Sequence, residues 1–321
     1  MHMEDFSYMS THLRNVTIRQ LRSLSAVSQY GSVTAASNHL RLTQPAVTQQ
    51  LRHLQEQVAL PIIQRTADGM VLTDAGREVL LLSKRIEAAI SACQESLELM
   101  AGRAGGSVSI GAVSTAKYFV PNAIAAFSRL YPKIDLRLAI KNREEIRQAM
   151  RGYDLDFAIM GRPPEDVDVE AHLIGDHPHV IVASKDHWLA KRGRLAAIDL
   201  SRETFLTREQ GSGTRILMEA FFGTTGLLPH IGMEISSNET IKQAVIAGLG
   251  ITFISAHTVA AELEEGRLAM LDVAGLPVMR QWFVVRRRDK ILLPPAQSLL
   301  EFLCTEGSKF LPAPPAEFPQ T

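Results

Sequence analysis

Apolar residues recur along this chain with two different periods. Before about residue 107 the spacing is helical; after it, short apolar runs alternate with helical stretches. A first helix is predicted over Thr17–Tyr30, with Ile18, Leu21, Leu24, Ala26 and Val27 facing inward and Gly31 ending it. Thr34 is the expected cap of a second helix that carries Ala35, Ala36 and Leu40. Thr43 is the expected cap of a third, with Pro45 in its first turn, where the missing N–H costs nothing. Its Ala46, Val47, Leu51 and Leu54 turn inward and leave Gln44, Thr48, Gln49 and Arg52 outside. From Pro61 the pattern becomes a small hairpin: Ile62 and Ile63 enter a strand, Asp68-Gly69 makes the turn and residues 70–72 return.

Asp74 stands near the start of a long helix reaching about Ala101. Its Val79, Leu82, Ile86, Ala89, Cys93, Leu97 and Met100 step by threes and fours, a heptad-like seam. A seam of that length after a small hairpin predicts pairing with a second copy, through Val79, Leu82, Ile86, Cys93 and Leu97, rather than packing on its own domain. The run GRAGG at 102–106 reads as a hinge. Beyond it a βαβαβ unit is expected: strand 108–113, helix 119–130, strand 134–140, helix 143–151, strand 155–160. The pattern crosses at 180–183 and repeats as strand 205–207, helix 212–222, strand 233–235, helix 238–247, strand 251–255 and a helix to Glu264. A late strand at 281–287 and a helix at 296–304 precede the tail PAPPAEFPQT, expected to be disordered.

Length and charge sharpen this picture. At 321 residues two or three domains are expected. The 34 basic and 34 acidic residues cancel, which argues against a wholly nucleic-acid-coating protein. The balance is uneven, however. From Arg14 to Arg77 there are seven arginines (14, 19, 22, 41, 52, 65, 77) and three acids (Glu56, Asp68, Asp74). A basic three-helix-and-hairpin module is the outline of a winged helix-turn-helix, which places one helix in the DNA major groove. The two cysteines, Cys93 and Cys304, form no metal spacing or disulfide framework, as suits a reducing cytosol. The N-terminus has no signal-peptide core, and the apolar stretch 244–256 is too short to span a bilayer. A cytoplasmic protein without membrane contact is expected, starting at Met1, Met3 or Met9.

On LTQPAVTQQLRHLQ, the wing Arg65 and LTDAG, the chain resembles LysR-type transcriptional regulators over about residues 17–305. Its second part is similar to the regulators of RuBisCO and other Calvin-cycle operons in VSTAKYF, FAIMGRPP, REQGSGTR, SSNETIKQAVIAGLGI, HTV and RRDK. The resemblance implies an α/β protein with an all-α-rich N-terminal winged helix-turn-helix, a long linker helix and a periplasmic-binding-protein-like effector domain of two α/β subdomains. The corresponding domains are an extension at 1–16, the DNA-binding domain at 17–75, linker helix and hinge at 76–106, the effector domain at 107–306 and a disordered tail at 307–321. Subdomain I would take 107–182 and 283–306, and subdomain II, inserted into it, 183–282. A homodimer or homotetramer on double-stranded promoter DNA is implied, with RNA polymerase as a candidate partner. Two departures stand out: Gln49 and Thr48 replace the common basic residue and serine of the recognition helix, and Ile63 a common wing aromatic. Fewer phosphate contacts predict a weaker salt dependence.

Candidate DNA contacts are Gln44, Pro45, Thr48, Gln49, Arg52 and Arg65. Glutamine can pair with adenine, arginine with guanine or phosphate, and the wing arginine with the minor groove or its phosphates. The alternative for each is an ordinary solvated polar face; the helical register and the resemblance favour contact. In the second part, a crevice at the carboxyl ends of the strands is the expected ligand site. The loops leading there carry Ser114, Thr115, Lys117, Asn142, Gly161, Arg162, Glu209, Ser212, Arg215 and Asn238. Lys117, Arg162 and Arg215 beside hydroxyls and helix ends predict an anionic effector, a phosphorylated or carboxylated metabolite. The resemblance adds Calvin-cycle intermediates and NADPH as candidates. No cofactor or metal is expected; His177, His179 and His187 are read as structural. No catalytic triad, carboxylate pair or nucleotide-binding loop is present, so an enzyme is disfavoured. The alternatives are a regulator of an unrelated regulon and a cytoplasmic solute-binding protein.

Overall fold

The computed structural model describes residues 13–67, 69–102 and 105–313. The chain divides into two compact units inside the long helix, between Gln94 and Glu95. No helix among the described residues is long and apolar enough to cross a membrane.

In the first unit, α1 (Ile18–Tyr30) opens on a reciprocal cap. The Thr17 hydroxyl accepts from the Gln20 N–H at 3.3 Å, and the Gln20 side chain accepts from the Thr17 N–H at 2.7 Å. Gly31, at φ 70°, ends it. The cap of α2 (Val33–Leu40) is Ser32, not Thr34: the Ser32 hydroxyl accepts from the Ala35 N–H at 3.2 Å, while Thr34 is already helical. Thr43 caps α3 (Gln44–Val58), with Pro45 in the first turn. Leu21, Leu24, Val27, Ala36, Val47, Leu51 and Leu54 form the shared core. Ile18 is 42 % exposed rather than inward, because it begins the helix one turn ahead of Leu21, where the core starts.

The wing pairs β1 (Ile63–Thr66) with β2 (Gly69–Leu72), Thr66 opposite Gly69. Gly69 is therefore the first residue of the returning strand rather than part of the turn; Asp68 lies outside the described residues. The glycine is needed: a Cβ there would meet the Gly31 carbonyl oxygen at 2.9 Å, next to the Met70 N–H that donates to the same oxygen. Then α4 (Asp74–Met100) begins. Val79 is buried in the three-helix core, Ser83 bonds Ser25 at 2.9 Å and Glu87 pairs with Arg22 at 2.6 Å. The first stretch of the seam thus serves its own domain, and Val79 is corrected from interface to core. Farther along, Leu82, Ala89, Cys93, Leu97 and Met100 are exposed.

In the second unit, β3 (Ser107–Val113) lies between β4 (Asp135–Lys141) and β5 (Phe157–Met160), all parallel. They are followed by a 3-10 turn at Ala116–Tyr118 with α5 (Val120–Leu130), by α6 (Arg143–Arg151) after β4, and by a loop after β5. Two long antiparallel strands, β6 (Val169–Ser184) and β11 (Val278–Arg287), run from this half into the other. The other half contains β7 (Thr204–Thr207), α7 (Gly213–Thr225), β8 (His230–Glu234), α8 (Asn238–Ile246), β9 (Thr252–Ser255), α9 (Ala256–Glu264) and β10 (Leu268–Met270). Strands β9 and β10 pair with the far end of β6, and Phe205 of β7 bridges to Ile251. His179 already pairs with Ser255, so the crossing lies some residues before the expected 182/183 boundary. Likewise β11 is already paired with β6 from Val278, before residue 283. Finally, α10 (Pro294–Glu306) leads into a 3-10 turn at Gly307–Phe310. Residues 307–311 are therefore no tail. Phe310 and Leu311 pack on the first half's core, and Gly175 leaves room for Leu311: a Cβ there would lie 2.7 Å from its Cδ1. Residues 314–321 lie outside the described residues.

Gly76 sits where α4 crosses the entry to the wing, and a Cβ would lie 1.9 Å from the Ile62 carbonyl oxygen. Backbone on both sides leaves nothing flexible to yield. Gly76→Ala is expected to destabilise the first unit by about 3 kcal/mol, the upper end for overpacking. Thermal unfolding of that unit checks this; an unchanged midpoint contradicts the packing.

Candidate functional site

The outer side of α3 is polar and open. Gln44, Pro45, Thr48, Gln49 and Arg52 are all exposed, as is Arg65 on β1. Together with His53 and Glu56, the five helix residues line a shallow hollow. Arg52 is held along the helix by Glu56 at 3.0 Å. His53 escaped the sequence reading, although its place four residues after Gln49 puts it on the same face.

The second unit holds a cavity of about 500 Å³ between its two halves. Strand β3 delivers Ser114 and Thr115, and β5 delivers Gly161 and Arg162. The start of α7 delivers Ser212, so five of the ten expected residues line it. The sequence reading missed the arginines of α6, Arg143 and Arg147, and Arg280 on β11. Arg147 is neutralised by Glu144 and by Asp166 at 2.5 Å, and Arg162 by Glu165. Arg143 and Arg280 have no carboxylate within ion-pair reach among the described residues. Arg143 reaches only the Pro163 carbonyl, at 3.5 Å. Burial, then the nearby Arg162 and Arg147, hold its guanidinium below the usual range. The site therefore concentrates positive charge that its own acids do not fully cancel, in a partly desolvated place.

The other expected residues have different work. Lys117 pairs with Glu239 at 3.2 Å, and Arg215 with Glu219 at 2.9 Å and with Glu234. Asn142 caps α6, accepting from the Glu145 N–H at 2.9 Å. Glu209 and Asn238 both hold Arg208, which is 3 % exposed. Arg208 is the hub that sequence reasoning missed. From the second half it donates to the Ser114 hydroxyl of the first at 3.2 Å, while Asn238 donates to the Ser114 carbonyl at 3.3 Å. Its place at the end of β7, opening the stretch REQGSGTR, was the available signal. A second tie joins the halves at Glu239. Desolvation pushes its carboxyl up, but hydrogen bonds from Tyr118, Lys242 and Lys117 outweigh that and hold it at about 2. The Tyr118 hydroxyl donates to it at 2.5 Å.

At the cavity wall β6 and the start of α9 bring imidazoles together. His177 and His179 line the cavity, and His257 accepts from the Trp282 indole N–H at 3.1 Å. His187 is separate: it caps a 3-10 turn and pairs with Glu203 at 3.2 Å. Among the described residues no His, Cys, Asp and Glu side chains gather in a set that could hold a metal ion.

The model of the bacterial regulatory helix-turn-helix protein, lysR family, matches residues 18–77, and that of the LysR substrate binding domain matches residues 101–307. The HTH-type transcriptional regulator CbbR of Xanthobacter flavus is 51 % identical over 301 residues, 93 % of this chain and 90 % of that one. The RuBisCO operon transcriptional regulator of Allochromatium vinosum is 42 % identical over 295 residues, 92 % of this chain and 98 % of that one. Among solved structures, the regulatory domain of CcmR from Synechocystis PCC6803, in complex with 2-PG, is 35 % identical with a TM-score of 0.62. It covers 65 % of this chain and 100 % of its own.

The buried histidines make the second unit acid-sensitive. Burial holds His179 at about 3 and His257 at about 4, and His177 well below its ordinary value of 6.5. As pH falls below about 6.5 the unfolded chain takes up protons that the folded chain refuses, so stability present above that pH is progressively lost. Each histidine should contribute a slope on the order of 1 kcal/mol per pH unit down to its folded value. Unfolding of this unit by urea from pH 7 to 5 measures it; a flat profile contradicts three neutral imidazoles.

Proposed function

Because this chain belongs to the LysR family of bacterial transcriptional regulators, we propose that it binds promoter DNA under control of a small anionic metabolite held in the arginine-lined crevice. RuBisCO or related carbon-fixation operons are its proposed targets. The observation that carries the effector reading is Arg143 and Arg280 facing one cavity without a carboxylate partner among the described residues. An anion completes such a site through charge-assisted hydrogen bonds. The CcmR domain bound to 2-PG supports the same class of ligand, and the relatives from Xanthobacter flavus and Allochromatium vinosum support the regulon.

DNA contact falls to the exposed residues of α3 and to Arg65. Thr48, Gln44 and Gln49 have the chemistry to read base edges, and Arg52 and Arg65 that to hold phosphates. The effector reading supplies a switch. Ligand bridging loops from both halves favours whichever arrangement it binds more tightly, and only by that difference. The ties at Ser114 and Glu239 set the ligand-free balance.

The two roles should separate. Thr48→Ala and Arg65→Ala are expected to weaken operator binding about tenfold or more, Arg65→Ala also lowering the salt slope by about 1. Both should leave 2-PG binding unchanged. Arg143→Ala is expected to do the reverse, weakening 2-PG about tenfold or more with operator affinity in its absence retained. Fluorescence anisotropy and calorimetry read the two affinities; unchanged 2-PG binding in Arg143→Ala would move the effector out of the crevice.

We also propose that the far part of α4 pairs with a second copy through Leu82, Cys93 and Leu97, with Ile86 half-buried beside the core. Leu97 is 60 % exposed and Met100 83 % in the single chain, apolar surface that pairing would cover. Leu97→Lys is expected to shift the assembly toward monomer in analytical ultracentrifugation; an unaltered mass excludes this seam.

A further inference from the structure

His177 lines the crevice. It is 3 % exposed and stacks on Trp282, ring centroids 3.7 Å apart and planes within 18°. Its Nε2 lies 2.9 Å from the Ser255 hydroxyl. Its Nδ1 is buried and has no hydrogen-bond partner among the described residues. A polar nitrogen is rarely left so unless something absent from the bare protein completes it.

The proton can be placed. Ser255 is fully buried, and although it opens α9 its hydroxyl makes no capping bond. Donating to His177 Nε2 gives that hydroxyl proton an acceptor; the opposite tautomer strands both the hydroxyl proton and Nδ1. Nδ1 is then the protonated nitrogen. Burial, with His179 and His257 nearby, keeps the ring neutral. Gly161 stands beside that nitrogen. Its φ lies outside the left-handed region, so the backbone does not require glycine there. A Cβ at that position would lie 3.0 Å from His177 Nδ1, and Gly161 lines the same cavity. With no side chain at 161, nothing crowds Nδ1 from that position, although the nitrogen is closed to solvent in the ligand-free protein.

We infer that His177 is a specificity-determining ligand contact: its Nδ1–H donates to an oxygen of a two-headed acid whose other head meets Arg143 and Arg280. This rests on the crevice being the effector site. The two contacts differ in kind. The arginines attract any small anion, whereas a neutral, rigidly stacked N–H rewards only a ligand with a second oxygen within its reach. An unsatisfied buried donor also penalises a ligand that lacks it. One-headed anions are thereby admitted and two-headed ones selected.

The test is calorimetry on the full chain with two probes: phosphoglycolate, which carries a phosphate and a carboxylate, and inorganic phosphate, which has one head. In the parent protein phosphoglycolate should bind more than tenfold tighter than phosphate, and Arg143→Ala should weaken both. Gly161→Ala, which crowds Nδ1, and His177→Phe, which keeps the stacking but has no N–H, should each weaken phosphoglycolate more than tenfold and leave phosphate within twofold. Should His177→Phe fail to fold, Gly161→Ala alone decides. Phosphoglycolate affinity within twofold of the parent in Gly161→Ala overturns the His177 contact and leaves the crevice intact. Failure of both probes to bind the parent, or binding indifferent to Arg143→Ala, overturns the effector reading and this contact with it.

Discussion

The antiparallel ladder between β6 and β11 is the constraint on which the second unit depends. It runs from Val169–Arg287 at one end to His179–Val278 at the other, so two strands belong to both halves at once. The first half's parallel sheet attaches at one end through β5 on β11, the second half's through β9 and β10 on β6. Because the ladder is continuous, the halves can change their angle only by bending it, and the crevice opens over the bend. The register shifts between Trp282 and Phe283, and Trp282 stacks on His177, which lines the cavity.

Charge placement follows the same division. Arg208 is buried but fully engaged, by Glu209, Asn238 and Ser114, and a buried cation is tolerable only when so paired. Arg143 is half-buried and engaged by a single distant carbonyl. One arginine ties the halves together, and the other lines the cavity without a carboxylate partner among the described residues. The ties at Ser114 and Glu239 cross between the halves near the cavity.

Much of this was legible because it is local. Thr43, Pro45 and the apolar steps of α3 fix that helix and its outer face from neighbours within one turn. The strand ends carrying Ser114, Thr115, Gly161 and Arg162 were found because parallel strands present their carboxyl-end loops to one side. Even local rules were ambiguous where two hydroxyls competed, as Ser32 and Thr34 did for one cap. The charged residues that the structure places elsewhere share a cause. Lys117 and Arg215 have the right charge near the right place, but Glu239, Glu219 and Glu234 neutralise them. Arg143, Arg147 and Arg280 were overlooked because which side of α6 or β11 meets the cavity is a matter of packing.

The sequence by itself determined the elements, the winged helix-turn-helix, the α/β plan and the family, since these rest on periodicity, caps and short motifs that act within a few residues. Only the tertiary structure decided which cations remain available to a ligand and which acids hold the rest. It also decided that Val79 belongs to a core while Leu97 stays bare, that residues 307–311 pack on the fold, and that an imidazole nitrogen without a partner among the described residues lies beside a glycine. Ion pairing and burial act between residues as far apart as Ser114 and Arg208 or Gly161 and His177. Their partners exist only once the chain has brought those positions together.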